Sequence, residues 1–470
     1  MSQVIGLFLG RFRFDAPAMT TIRLWILRVG LYLHQQPVPK ASDWIFLIDH
    51  TCELGPGKVL VILGVRQSQL QPGTYNVGHQ DVELLHLQPM DSSTGERMHD
   101  ILCSVSDRVG VPRQIVSDHG SDLVKAERLF TTDHPDVIVT WDITHRMARL
   151  ILAEIADDAR WQTFRQACSE TRNAVQQTAL RFLAPPSQKG SSRCEHFDRL
   201  VLWGCDLLAF AERKDFGQIT SNHQWDESAR SRLTDILSIT VLKSLESLDE
   251  HVFADRKAFE QALQETLDAE SFATYGAKII EASDCGRRQF LERFDWVQEY
   301  QEDLQRCYHP MVHLVHEAER LVKHEGIHGE TAQRLQQKVR RELVQEGRVA
   351  QFESKIMAYL NEEGRGRPAN ESLLGTSDVL ESLFGKYKMY SSKSSFKELG
   401  ASLLMLPVIT TRLTSQIVKN ALEAVPVSAV QQWVQDNIGL TAFAQRIKAF
   451  RPPNWKQIRD EKLVVSTPDF

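Results

Sequence analysis

The stretch Trp44 to Gln67, WIFLIDHTCELGPGKVLVILGVRQ, constrains this chain more than any other. Two apolar runs flank Gly55-Pro56-Gly57, a pattern that predicts a β-hairpin. The first run is almost all Trp, Ile, Phe and Leu, as expected of a central strand covered on both faces. In its middle sits one acid, Asp49. Side chains alternate along a strand, so Asp49 shares a face with Ile45 and Leu47. A lone carboxylate there costs several kcal/mol of desolvation unless it is paired, neutralised or bound to a metal. Two readings stay open: a strand-end acid in a hydrogen-bonded turn, or a metal ligand on a central strand.

The strand–helix rhythm continues downstream. A further strand is expected around Val82 to Leu87. Ser92 to Gly110 reads as a helix, with Met98, Ile101, Leu102, Val105 and Val109 at helical spacing and Gly110 and Pro112 as its stop. A short strand from Gln114 to Ser117 ends in Asp118, His119-Gly120 turns the chain, and a helix is expected from Leu123 to Phe130. Another strand, Asp136 to Trp141, ends in Asp142, and Ile143 begins a helix. Strands alternating with helices after an initial meander predict a mixed sheet with helices packed on it. Acids at strand ends are where an open α/β sheet places its chemistry.

From about 151 to 370 strand signals vanish and amphipathic helices dominate, for example Glu330 to Glu362. The segment PPSQKGSSRC at 185–194 reads as a loop, and GRGRPANESLLG closes the helical block. Helix resumes at TSDVLESLFGKYK and continues in further stretches to Phe450. Residues 1–40 hold one short helical candidate, Thr21 to His34, followed by Pro37 and Pro39. The domain reading is therefore a short N-terminal helical remnant (1–40), the first part of an α/β domain (41–150), an all-helical insertion (151–370) and a completing region with a helical, basic C-terminus (371–470).

With 470 residues, 42% hydrophobic and 25% charged, the chain can bury more than one core. Its net charge of −6 excludes a protein basic throughout but not a local basic face. The seven cysteines are odd in number and lack a CxxC pair, which argues against a disulfide framework or a zinc ribbon and fits a reducing cytoplasm. Arg11 and Arg13 follow the first apolar run at once, unlike a signal peptide. Arg23 and Arg28 break Ile22 to Leu33, so no membrane span is expected there.

Asp49 in LIDHT, Asp118 in IVSDHG and Glu381 in VLESLFGKYK, with a large helical block before the glutamate, resemble the DDE transposases of bacterial insertion sequences. Asp142 to His145, DITH, is similar to what several such families show after the next strand. The resemblance covers about 41–150 and 371–400. It implies a ribonuclease H-like mixed sheet interrupted by an all-α insertion, and Mg²⁺-dependent cleavage and joining of DNA strands. It also implies Asp49, Asp118 and Glu381 as catalytic and metal-holding acids, with Mn²⁺ able to substitute. Asp142 and His145 become auxiliary polar groups. The implied partners are double-stranded DNA, as transposon ends and target, and further copies of the chain on that DNA. The implied location is the cytoplasm, at the nucleoid. The short N-terminus departs from the family, which usually carries an end-binding domain there.

The residues themselves keep alternatives open. Asp118 also suits a turn before His119-Gly120. Glu381 also suits a capping box with Asp378 at the N-cap, and Glu371 and Asp378 are rival third acids. Asp142 also suits an N-cap of the helix it precedes. Favouring Glu381, its helix face carries Gly385 and Lys388, opposite the stripe Leu380, Leu383, Phe384 and Tyr387. A glycine there lets a nucleic-acid backbone approach, and Lys386 and Lys388 can meet phosphates. A wider basic excess runs through Lys393, Lys397, Arg412, Lys419, Arg446, Lys448, Arg451, Lys456, Arg459 and Lys462. His309, His313 and His316 share a helix face, but without HExxH and with Pro310 in the run they read as a solvated face. Two other functions remain: a related nuclease that cuts without joining, and a catalytically silent relic that only binds DNA or a partner.

Overall fold

The computed structural model describes residues 17–52, 58–70, 75–90, 92–189, 194, 196–212, 290–342, 347–368, 371–391, 400–439 and 450, with isolated positions between 261 and 276. These residues divide into two compact units. The first draws on Met1–Ile143, Leu321–Gly329 and Glu363–Phe470, and the second on Thr144–Arg320 and Glu330–Glu362.

The first unit is built on a five-stranded mixed sheet. Its strands are β1 (Trp44–Cys52), β2 (Lys58–Arg66), β3 (Glu83–Met90), β4 (Gln114–Ser117) and β5 (Ile138–Trp141), in the order β3-β2-β1-β4-β5. The first three form an antiparallel meander, and β4 and β5 add in parallel to β1. The expected hairpin is β1–β2, with Asp49 opposite Val61; its Gly55-Pro56-Gly57 turn lies outside the described residues. The apolar run of β1 is central because it alternates into two cores. Ile45 and Leu47 pack in one, with Val59, Val61, Leu63 and Val116. Trp44, Phe46 and Ile48 pack in the other, with Leu60, Ile62 and Ile115.

Helices cover both faces. On the Trp44 face lie α2 (Gly95–Val109) and α3 (Ser121–Asp133), through Met98, Leu102, Val105, Leu123, Ala126 and Phe130. Gly110 ends α2 at a φ of 102°, and a Cβ there would lie 2.1 Å from the Ala41 carbonyl oxygen, so no side chain fits. On the Ile45 face lies the N-terminal helix α1 (Met19–His34), through Leu27 and Leu31. Several C-terminal elements share that face through Leu380, Leu383, Leu403, Leu404, Leu406 and Trp433. Arg28, which broke the apolar run in the sequence, donates to the carbonyls of Leu422 and Val425, at the end of the helix Ser415–Ala424. At Gly30 the backbone of Leu404 comes so close that an added Cβ would lie 1.7 Å from its carbonyl oxygen.

The second unit shows no strand among its described residues. Its chain runs through α4 (Ile143–Ile155, which begins one residue earlier), α5 (Ala159–Val175), α6 (Phe197–Glu212), α7 (His309–Glu325, whose last turn returns to the first unit), α8 (Thr331–Glu342) and α9 (Gly347–Glu363). Trp161, Phe164, Phe197, Tyr300 and Tyr308 pack ring against ring. Asp158 caps α5 by accepting from the Trp161 N–H at 3.0 Å, and also accepts from the Tyr308 hydroxyl at 2.9 Å and from Arg348 at 2.5 Å. One carboxylate thus ties three segments of the bundle. The expected helix from Glu330 to Glu362 is divided instead into α8 and α9, with Gly347 in the left-handed region at a φ of 56°. Pro310 is the second residue of α7, directly after a π-helical turn at Leu304–Tyr308 that absorbs its missing N–H.

The unit boundary falls at 143/144 rather than near 151, and Leu321–Gly329 returns to the first unit within the expected insertion. That return is hydrogen-bonded: Ile327 and Leu373 exchange backbone bonds of 2.9 and 2.8 Å, and the Gly329 N–H donates to Arg367 at 3.0 Å. The Ile143 N–H donates to the Gly375 carbonyl at 2.8 Å, so the chain's exits from this unit gather around one segment, 367–375. Among the described residues no helix is long and apolar enough to cross a membrane.

Candidate functional site

The paired row Ile48–Ser117–Trp141 runs across β1, β4 and β5. The next residue on each strand is an aspartate: Asp49, Asp118 and Asp142. Parallel strands carry these acids to one edge because each βα unit brings the chain back in the same direction. Alternation sends Asp49 to the Leu47 side and Asp118 to the Val116 side, which is the same face of the sheet. Asp49 and Asp118 are half-buried, whereas Asp142 is completely buried. Asp49 Oδ1 accepts from the His50 N–H at 2.6 Å and Asp118 Oδ1 from the Gly120 N–H at 2.9 Å. Each carboxylate is therefore held by its own local backbone.

The helix that carries Glu381, α10 (Asp378–Ser391), packs on that face through Val379, Leu380, Leu383, Phe384 and Tyr387. Two buried polar side chains of the sheet fix the segment leading into it. Gln114 donates to the Leu374 carbonyl at 2.7 Å and accepts from the Leu374 N–H at 3.2 Å, and it also donates to Thr140 at 2.9 Å. Asp142 Oδ2 accepts from the Ser377 N–H at 2.6 Å and from its hydroxyl at 2.9 Å. Asp142, directly before α4, thus also holds the entry of α10, since a buried carboxylate takes the donors that water cannot reach. Glu381 lies half-buried one turn into α10.

The helix begins at Asp378, so Glu381 is one residue too far along for a capping box. Asp378 pairs with Lys323 at 2.7 Å, and Glu371 is exposed on the segment before the helix. On the outer face of α10, Gly385 and Lys388 are exposed, and a Cβ at Gly385 would meet nothing within 4 Å. Lys386 is exposed as well, as are Arg412 and Lys419, while the other basic residues of the C-terminal run lie outside the described residues. His145 falls in the helical unit, half-buried on α4. His309 and His313 are half-buried and His316 exposed on α7, with burial and then its two neighbours holding His309 below the usual imidazole range.

Sequence reading missed the groups around the strand ends. His50 points to the other face, 3.9 Å from Asp122, and burial holds its imidazole below the ordinary range against the pull of that carboxylate. Asp122 accepts from Ser93, which in turn accepts from Lys58 at 3.1 Å. His119 adopts a left-handed φ of 55° and stacks on Trp141, with ring centroids 4.5 Å apart. A non-glycine residue in that region beside a candidate acid is a strained position. Below it Glu127 is 4% exposed, 3.8 Å from His119, and its Oε1 has no hydrogen-bond partner. Burial raises its carboxyl to about 7, helped by the charge of Asp118 and opposed by a hydrogen bond with Ser117. A signal for Glu127 existed: it lies on the buried stripe Leu123, Ala126, Phe130 of α3, where an acid is out of place.

Asp49 and Asp118 end adjacent strands on one sheet face, and Glu381 stands on the helix packed against that face. All three are oxygen donors, but they do not form a group whose ligand atoms lie within 4.8 Å of one another; among the described residues His99, Cys103 and Asp133 do. No protein-family model matches the chain, and no curated protein matches it.

Proposed function

We propose that this chain is a DDE-type transposase of ribonuclease H-like fold, cutting and joining DNA strands of a mobile element in a Mg²⁺-dependent reaction. The observation that carries the reading is the alignment of Asp49 and Asp118 at adjacent parallel strand ends, on the face where α10 brings Glu381. The strand order, an antiparallel meander extended by two parallel strands, supports the fold assignment.

In this reading Asp49, Asp118 and Glu381 hold the metal. Bound Mg²⁺ would supply Lewis-acid stabilisation of the attacking and leaving oxygens at phosphorus. The chain's own residues orient that site. The His50 and Gly120 N–H groups fix the two aspartates, and Asp142, through Ser377, fixes the start of α10. Lys386 and Lys388 meet DNA phosphates, and Gly385 leaves room for the backbone to approach. The partners are transposon ends and target DNA, with further copies of the chain, at the nucleoid of the cytoplasm.

A Mg²⁺ or Mn²⁺ cleavage gel on DNA carrying the native ends, run beside a binding titration, tests this. Asp118→Asn should abolish nicking while leaving the fold and DNA binding intact, because it removes an anionic ligand but keeps the shape. Wild-type-like cutting by Asp118→Asn would overturn the assignment of the site. Wild type that binds but never cuts would mark a silent relic, and cutting without joining would mark a nuclease.

A further inference from the structure

We propose a second metal site, for a zinc-class cation, formed by His99, Cys103 and Asp133 on the sheet face opposite the acids. His99 and Cys103 stand one turn apart on α2, and Asp133 is the last residue of α3. His99 Nε2 lies 3.4 Å from Cys103 Sγ and 3.1 Å from Asp133 Oδ2, and the three ligand atoms all fall within 4.8 Å of one another. Ligands around one tetrahedral zinc, at bonds of about 2.0–2.3 Å, are about 3.3–3.6 Å apart. The observed spacings therefore need only small side-chain adjustments to accept one ion.

The donor chemistry points the same way. Sulfur, imidazole nitrogen and carboxylate oxygen together suit zinc, whereas an all-oxygen set suits magnesium. The other ring nitrogen of His99, Nδ1, stands 3.8 Å from Asp100 Oδ1, beyond hydrogen-bonding distance, and is left to water. The ring of Phe130 walls one side, 6.5 Å from the His99 ring centroid. Asp133 is largely exposed, which leaves a fourth position for water. The site would clamp α2 to α3, the helix that begins just after Asp118. It is independent of the proposed catalysis.

Cobalt provides the test, because a thiolate bound to Co²⁺ gives a near-ultraviolet charge-transfer band that carboxylate ligands do not. The whole chain, stripped with a chelator, should show this band with tetrahedral d–d absorption. The band should saturate at one equivalent and vanish on adding Zn²⁺. Cys103→Ser should abolish it and Cys194→Ser should not. Asp133→Asn, at an exposed position, should weaken binding without disturbing the fold, and covers the case in which Cys103→Ser misfolds. Folded wild type without the band, or an unchanged band in Cys103→Ser or with unchanged affinity in Asp133→Asn, would overturn the site and reduce the cluster to a His–Asp pair beside a thiol. Neither result bears on DNA cleavage.

Discussion

Glu127 is an acid buried on an apolar stripe beside the strand-end aspartates. A carboxyl raised to about 7 by burial stays protonated in the folded chain at pH values where it ionises in the unfolded one. The folded state binds the extra proton, so its contribution is fully present below about pH 4.5 and is lost as pH rises to about 7. The span corresponds to roughly 3 kcal/mol. Glu127→Gln should remove this dependence. In urea denaturation at pH 5 and pH 8, the wild type should lose more stability between the two than the variant does, by an amount of that order. Parallel losses in both proteins would mean that Glu127 is solvated or paired.

At the level of elements, α10 is held by two kinds of force. Its apolar stripe buries Leu380, Leu383, Phe384 and Tyr387 against the sheet, which supplies most of the stability but little angular precision. Direction comes from Gln114 and Asp142, whose hydrogen bonds fix the residues just before the helix. Asp142→Ala leaves the buried Ser377 N–H and hydroxyl without their acceptor and opens a cavity, and should cost about 2–4 kcal/mol. Ser377→Ala removes only the hydroxyl and should cost about 1 kcal/mol. Chemical denaturation of the two variants compares them directly. Equal costs would show that the carboxylate serves elsewhere than at the entry of α10.

For the whole molecule, a net charge of −6 means that the proposed DNA binding would have to rely on a local concentration of lysine and arginine. Lys388 stands exposed on the outer face of α10, on the same side as Gly385. Lys388→Ala should weaken DNA binding on every sequence alike. It should also shallow the plot of log K against log salt by about one unit, the effect of losing one phosphate contact. A slope unchanged from wild type would remove α10 from the DNA-binding face. Cleavage chemistry at saturating protein should survive, since Lys388 is not one of the acids.

The alternating apolar runs and their strand-end acids determined the sheet by themselves. Burial on one face or two leaves a period of two or an unbroken apolar run, so β1, β2 and β4, the helix after β3 and the central place of Asp49 were all legible. The helical character of the second unit was legible for the same reason, with a period of 3.6. Tertiary structure alone decided what requires distant residues to meet. Nothing local to DVLES says that its helix packs on the Ile45 face, or that Asp142 would take the Ser377 N–H and hydroxyl. The return of Leu321–Gly329 to the first unit rests on backbone bonds to residues some forty positions away, which carry no sequence period. Glu127 shows the same division: its place on an apolar stripe is written in the sequence, but the upward shift of its carboxyl comes from the packing around it.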